Sequence, residues 1–181
     1  MILQKPNKEI LRTSAFPRSG STFLNYALKS LYFAEDANTN FHTIKSIDKY
    51  EKLIVPFRNP IDSIPSWNHY PSNDKLPMDI KYYLRFYSEV INRLDRVVLF
   101  DFSKFTVDLD YIKTRVYENF FIEPLFETTI KDIQALMIES GKEINLPRNN
   151  KEELDKIKAE LIQIPEFQDC IDLYNRLLEL A

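Results

Sequence analysis

Glycine is almost missing from this chain. Of 181 residues two are glycine, where average usage of about 7% would give roughly a dozen. So few glycines draw attention to the places where the backbone keeps one, Gly20 and Gly141. Cysteine is scarcer still, and the single Cys170 cannot form an internal disulfide. One cysteine and two histidines are a poor ligand set for zinc, so a metal-independent protein is expected. Basic excess is also lacking: the formal net charge is −3 and the isoelectric point near 5.5. General binding to nucleic acid or to an anionic membrane is therefore not expected, and an anionic ligand has to be held by a local cluster. The first ten residues, MILQKPNKEI, contain no long apolar run, so neither a secretory leader nor a membrane anchor is expected. There is no internal repeat, low-complexity tract or long linker. The expectation is one cytoplasmic domain over residues 1–181, with 44% hydrophobic residues to form its core.

What is present is concentrated around Gly20. The apolar run Ile10 to Phe16 reads as a strand, and Ser21 to Phe33 reads as a helix with Phe23, Leu24, Ala27, Leu28, Leu31 and Tyr32 on its apolar positions. The stretch FPRSGSTFL, Phe16 to Leu24, is thus a strand-to-helix turn. The first-turn N–H groups of a helix have no intrahelical partners, and the helix dipole adds partial positive charge, so an anion finds donors there. Gly20 permits close backbone approach, Ser21 and Thr22 add hydroxyls, and Arg18 supplies a permanent planar cation. The loop is not a Walker A motif, which needs an earlier glycine and a lysine after the last one; here Ser21 follows Gly20.

A second informative stretch follows Leu53 to Phe57, LIVPF, which reads as a short buried parallel strand whose pairing should end at Pro56. It is RNPIDSIPSWNHY, Arg58 to Tyr70. Asn59 caps a helix and Pro60 occupies its first turn, so Arg58 projects from the strand's C-terminal end and Ser66 lies two turns into the helix. Further elements are expected as a short strand at Phe41 to Ile44, a helical turn at Asp48 to Lys52, a long amphipathic helix at Pro77 to Asp95 and a strand at Val97 to Phe102. Helices at Glu127 to Ser140, stopped by Gly141, at Lys151 to Ile162 and at Phe167 to Leu180 complete the chain.

PRSGST resembles the phosphosulfate loop of the sulfotransferases, which take 3′-phosphoadenosine 5′-phosphosulfate (PAPS) as donor and release PAP. The family's Arg-Asn-Pro-x-Asp-x-x-x-Ser segment is matched without a gap by Arg58, Asn59, Pro60, Asp62 and Ser66. The resemblance implies a P-loop type α/β fold: three layers, α/β/α, around a short, mostly parallel sheet of about four strands, with a helical C-terminal part. It implies that Arg18, Ser19, Gly20, Ser21 and Thr22 hold the phosphosulfate and that Arg58 and Ser66 hold the 3′-phosphate. A basic loop residue closes over the nucleotide in relatives, and Arg148 is the candidate here, ahead of Lys142. The match after the third strand is looser: Phe102 falls on a Tyr, Ser103 replaces a Glu, and Phe120, Phe121 and Ile122 stand where the family has Phe-Leu-Gly.

Sulfuryl transfer requires that the acceptor hydroxyl or amine lose a proton to a nearby base. His42 is the leading candidate by its place between the two motifs, with Glu35 in reserve and His69 as the rival histidine. Arg18 is the second catalytic candidate, stabilising charge on the departing oxygen. No metal is implied, since a sulfuryl group bears less charge than a phosphoryl group. The acceptor is not identified; the short stretch between Phe33 and His42 points to an open site for a sugar, peptide or polar metabolite, with Trp67, His69, Tyr70 and Tyr83 as candidate walls. Phe23 is a candidate neighbour of the adenine or a core residue. Two other classes stay open, a P-loop kinase-like phosphotransferase and a non-catalytic protein that binds PAPS or PAP.

Overall fold

Two five-residue strands run side by side in the same direction near the middle of the structure. β1 (Leu53–Phe57) pairs in parallel with β2 (Val97–Asp101), Leu53 opposite Val97 and Phe57 opposite Asp101. The structure is a computed structural model and describes residues 11–33, 50, 52–68, 75–142 and 151–181. The expected strand at Phe41 to Ile44 and nearly all of the expected turn at Asp48 to Lys52 lie outside the described residues.

The chain is α/β, mostly helical, with a small parallel sheet. Two strands are described where about four were expected, and among the described residues side chains explain where pairing ends. Residues 11–16 run alongside β1 but meet it only at one bridge, Thr13 to Ile54. Ile54 N–H donates to Arg12 O (2.8 Å) and Ser14 N–H donates to Ile54 O (3.0 Å). The next rung of that ladder would start from the nitrogen of Pro56, which carries no hydrogen. The Pro56 carbonyl instead accepts the Tyr87 hydroxyl at 3.1 Å. Pairing ends at Pro56 on this side only: toward β2 the register continues through Pro56 opposite Phe100. Beyond β2, a helix supplies the partners that a further strand would have offered. Arg115 Nη2 donates to Leu99 O (3.1 Å), and the Tyr111 hydroxyl accepts Asp101 N–H (3.1 Å).

Successive strand residues face opposite sides, and each side is buried. Ile54, Val98 and Phe100 pack with α1 (Ser21–Tyr32) and with helices α5 (Leu109–Phe120) and α6 (Ile130–Glu139). Leu53, Val55, Phe57 and Leu99 pack with α2 (Pro60–Asn68), α3 (Leu76–Ile91) and α8 (Phe167–Leu180). Local signals set the helix ends. Asp101 caps the short α4 (Phe102–Phe105), and Asp108 caps α5. Thr129 and Asp132 form a capping box that starts α6 at Ile130, three residues later than the expected Glu127. The expected helix at Pro77 to Asp95 begins at Leu76 and ends at Ile91, giving way to a 3-10 turn at Leu94–Arg96. The last two helices, α7 (Lys151–Ile162) and α8, have the bounds their apolar spacing predicts. No helix among the described residues is long and apolar enough to cross a membrane.

Candidate functional site

Residues 11–16, β1 and β2 all run parallel, so the chain leaves all three at the same end of the sheet. In parallel α/β structures that end is where ligands bind, because the following loops and helix N-termini converge there. Residues 17–20 follow the first segment, Arg58 follows β1 and Phe102 follows β2.

The loop is anchored by Phe16. Its fully buried ring meets Trp67 and Tyr83 edge-on, at centroid distances of 5.2 and 5.0 Å. Arg18 then adopts a left-handed conformation, φ 64°, which costs a non-glycine residue strain. Ser19 is fully buried, and its hydroxyl donates to Phe16 O (2.7 Å), so it holds the turn from inside. Gly20, φ 89°, is the N-cap of α1 and has no side chain to occupy the first-turn N–H groups. A Cβ on Gly20 would lie 2.5 Å from Phe102 Cδ2 and 2.9 Å from Phe105 Cζ. Glycine is thus required twice, by conformation and by space. No acidic residue stands in the first turn of α1 to compete for an anion. Ser21 and Thr22 occupy that turn half-buried.

The second motif folds against the first. Asn59 Oδ1 accepts Ile61 N–H (3.0 Å) and starts α2 at Pro60, as the Asn-Pro signal predicts. Ser66, two turns on, accepts the Nε–H of Arg18 at 3.0 Å. Arg58 donates from Nη1 to Arg18 O at 3.3 Å, and its guanidinium carbon lies 4.3 Å from the centroid of the Phe102 ring. The Tyr83 hydroxyl donates to the Arg58 carbonyl at 3.2 Å. Asp62 is in the motif too, but its carboxylate is bound by Lys158 of α7 at 2.7 Å. Among the described residues no carboxylate reaches Arg58 at ion-pair distance, and its charge is met by a carbonyl and a ring face. Burial pulls the Arg58 guanidinium below its usual range, while the more distant charge of Asp62 opposes the shift.

Arg18, Gly20, Arg58 and Ser66 are therefore brought together, with Ser21 and Thr22 on the adjoining turn. Ser19 and Tyr83 have other surroundings than the sequence suggested, the Ser19 hydroxyl being turned inward to Phe16 O, and Phe23 takes one of the two places the sequence left open. Phe23 is buried and stacked on Phe105 (6.2 Å), which is the core alternative and not the adenine one. Tyr83 is fully buried beneath Arg58 instead of forming an acceptor wall. Trp67 lies half-buried between Phe16 and Tyr82. His42, Glu35, His69, Tyr70 and Arg148 lie outside the described residues. Sequence reasoning missed Phe102 as a support of the site, although its place directly after a strand at this end was a signal. Lys158 carried none, being one of several lysines on a polar helix face. Comparison with known proteins finds no family model, no curated protein and no solved structure that matches the chain.

Proposed function

We propose that the chain is a PAPS-dependent sulfotransferase of P-loop type three-layer fold, acting on a hydroxyl or amine of a sugar, peptide or polar metabolite. The observation that carries this reading is the convergence of the two motifs. Arg18 and Ser66, 48 positions apart, are hydrogen-bonded, and Arg58 reaches the Arg18 carbonyl. The donor set fits a molecule with two separated anionic groups. Among the described residues no carboxylate contacts the half-buried Arg58 guanidinium, which suits a phosphate, and the α1 N-terminus, with no side-chain cap and no acidic first turn, suits a second.

The donor supplies an activated sulfuryl group attached to a phosphate that leaves as PAP. Arg58 binds the 3′-phosphate, at the non-reacting end, and so contributes affinity more than rate. Arg18 and the first-turn N–H groups of α1 hold the negative charge that grows at the other end, where fixed donors stabilise the transition state more than the ground state. Ser66, expected beside Arg58 at the 3′-phosphate, accepts the Nε–H of Arg18 and so also orients that guanidinium. His42 takes the acceptor's proton; replacing it with Ala should lower turnover by about 10²- to 10⁴-fold with PAP affinity little changed.

Calorimetric titration with PAP, AMP and magnesium-ATP, on the wild type and Arg58→Ala, tests the donor. Tight PAP binding that weakens without the 3′-phosphate or without Arg58 is expected. Equal binding of PAP and AMP would overturn the reading, and tighter magnesium-ATP binding would replace it with a kinase-like one.

A further inference from the structure

The ring of Phe102 touches both anion-binding elements at once. One face lies 4.3 Å from the guanidinium carbon of Arg58. Its Cδ2 and Cε2 edge fills the space beside Gly20 in which a Cβ would stand only 2.5 and 2.7 Å away. The ring is itself braced edge-on by the fully buried Phe105, at 5.6 Å. Phe102 is the first residue after β2 and opens α4, whose cap is closed by Asp101 Oδ1 accepting Ser103 N–H (2.9 Å) and the Ser103 hydroxyl (2.8 Å). The backbone that carries the ring is thus fixed on one side by the sheet and on the other by the cap.

A cation–π contact and a salt bridge hold an arginine differently. A carboxylate binds the guanidinium through its edge, takes up N–H donors and cancels the charge. A ring binds through the face, leaving the in-plane N–H groups and the charge available to a ligand. At Arg58 the carboxylate of its own motif, Asp62, is bound by Lys158, and a ring holds the guanidinium instead.

We infer that Phe102 is a positioning residue: its ring fixes the Arg58 guanidinium relative to the Gly20 turn, so that one aromatic side chain sets the geometry between the two anion-binding elements of the site. The affinity part of this inference rests on the donor reading above; the positioning part does not.

The experiment compares Phe102→Leu, which keeps bulk and loses the aromatic face, with Phe102→Tyr, which keeps the face. Phe102→Met is the second apolar variant should Phe102→Leu fail to fold. The first readout needs no ligand: the NMR order parameter of the Arg58 Nε–H bond is expected to fall in Phe102→Leu and to stay at the wild-type value in Phe102→Tyr. The second is calorimetric. PAP affinity should fall roughly 2- to 30-fold in Phe102→Leu, the range of a cation–π contact, and be retained in Phe102→Tyr. AMP, which lacks the 3′-phosphate, should lose clearly less affinity than PAP in Phe102→Leu, and Phe102→Leu should cost less PAP affinity on an Arg58→Ala background than on the wild type. An unchanged order parameter in Phe102→Leu would overturn the inference, as would a PAP loss that recurs in full toward AMP or without Arg58, since a general packing defect predicts that pattern. If the wild type does not prefer PAP to AMP, the donor reading falls, and the order parameter still decides the role of Phe102.

Discussion

Arg18 Nε donates to Ser66 Oγ at 3.0 Å, joining the loop before α1 to the second turn of α2. The bond ties a residue in a strained backbone conformation, φ 64°, to a regular helix, which is one way such strain is held in place. Ser66→Ala removes the acceptor of a charge-assisted bond that orients the Arg18 side chain. Affinity for PAP should fall by about 1–2 kcal/mol, with the fold intact because Ser66 is only half-buried. An Arg18→Ala, Ser66→Ala cycle should show the two losses overlapping. Full additivity in calorimetry would mean that the bond has no bearing on binding.

Arg58 should be a residue that binding needs and stability does not. A half-buried guanidinium met, among the described residues, by a carbonyl at 3.3 Å and a ring face is incompletely compensated for the water it has lost. Arg58→Met keeps the stem and removes the charge. Its urea midpoint without ligand should equal or exceed that of the wild type, while PAP affinity falls by about 2–3 kcal/mol. A clear loss of stability would show that Arg58 is a structural pillar and not a poised cation.

How much of this was legible beforehand follows from the range of each cause. Helices α7 and α8 could be read because apolar spacing is local, and α2 because Asn59 and Pro60 are adjacent. The meeting of Arg18, Gly20, Arg58 and Ser66 was legible because both motifs sit at strand ends, and parallel strands put those ends together. The extent of the sheet was not. It depends on which side of β1 the missing N–H of Pro56 faces, and on Tyr111 and Arg115 reaching back to β2 from α5. Nor was the inward turn of the Ser19 hydroxyl, since a single residue's orientation in a tight turn leaves no periodic trace. His42 and Arg148 rest on sequence alone.

Phe121 offers a gain in stability. It ends α5 in the left-handed conformation, φ 57°, with 83% of its surface exposed. An L side chain costs about 1–2 kcal/mol there, glycine is the usual occupant, and the greater chain entropy of glycine returns part of the difference. The capping bond, Phe121 N–H to Tyr117 O at 2.9 Å, uses the backbone and survives the change. Phe121→Gly should raise the melting temperature by about 1–4 °C. Phe33 ends α1 in the same conformation, but its ring meets Phe126 at 6.4 Å, so Phe33→Gly should gain less. A lower melting temperature for Phe121→Gly would mean that its exposed ring has a contact worth more than the strain.

Cys170 should make stability depend on alkaline pH. The thiol is fully buried on α8 and donates weakly to Ile80 O at 3.9 Å. Burial pushes its pKa up to about 12, and the neighbouring charge of Asp169 adds to the rise. An unfolded chain's thiol titrates near about 8.5. Between those values the unfolded state releases its proton while the native state keeps it, so the native state binds more protons and stability falls as pH rises. Below about 8.5 both states are protonated and the contribution is fully present. The wild type should therefore lose more stability from pH 7 to pH 9.5 than Cys170→Ala, measured as the shift in urea midpoint. At pH 8 the native thiol should react with a disulfide reagent far more slowly than free cysteine, and at the free rate once the chain is unfolded. Fast reaction of the native protein would place Cys170 at the surface and remove the basis for the pH effect.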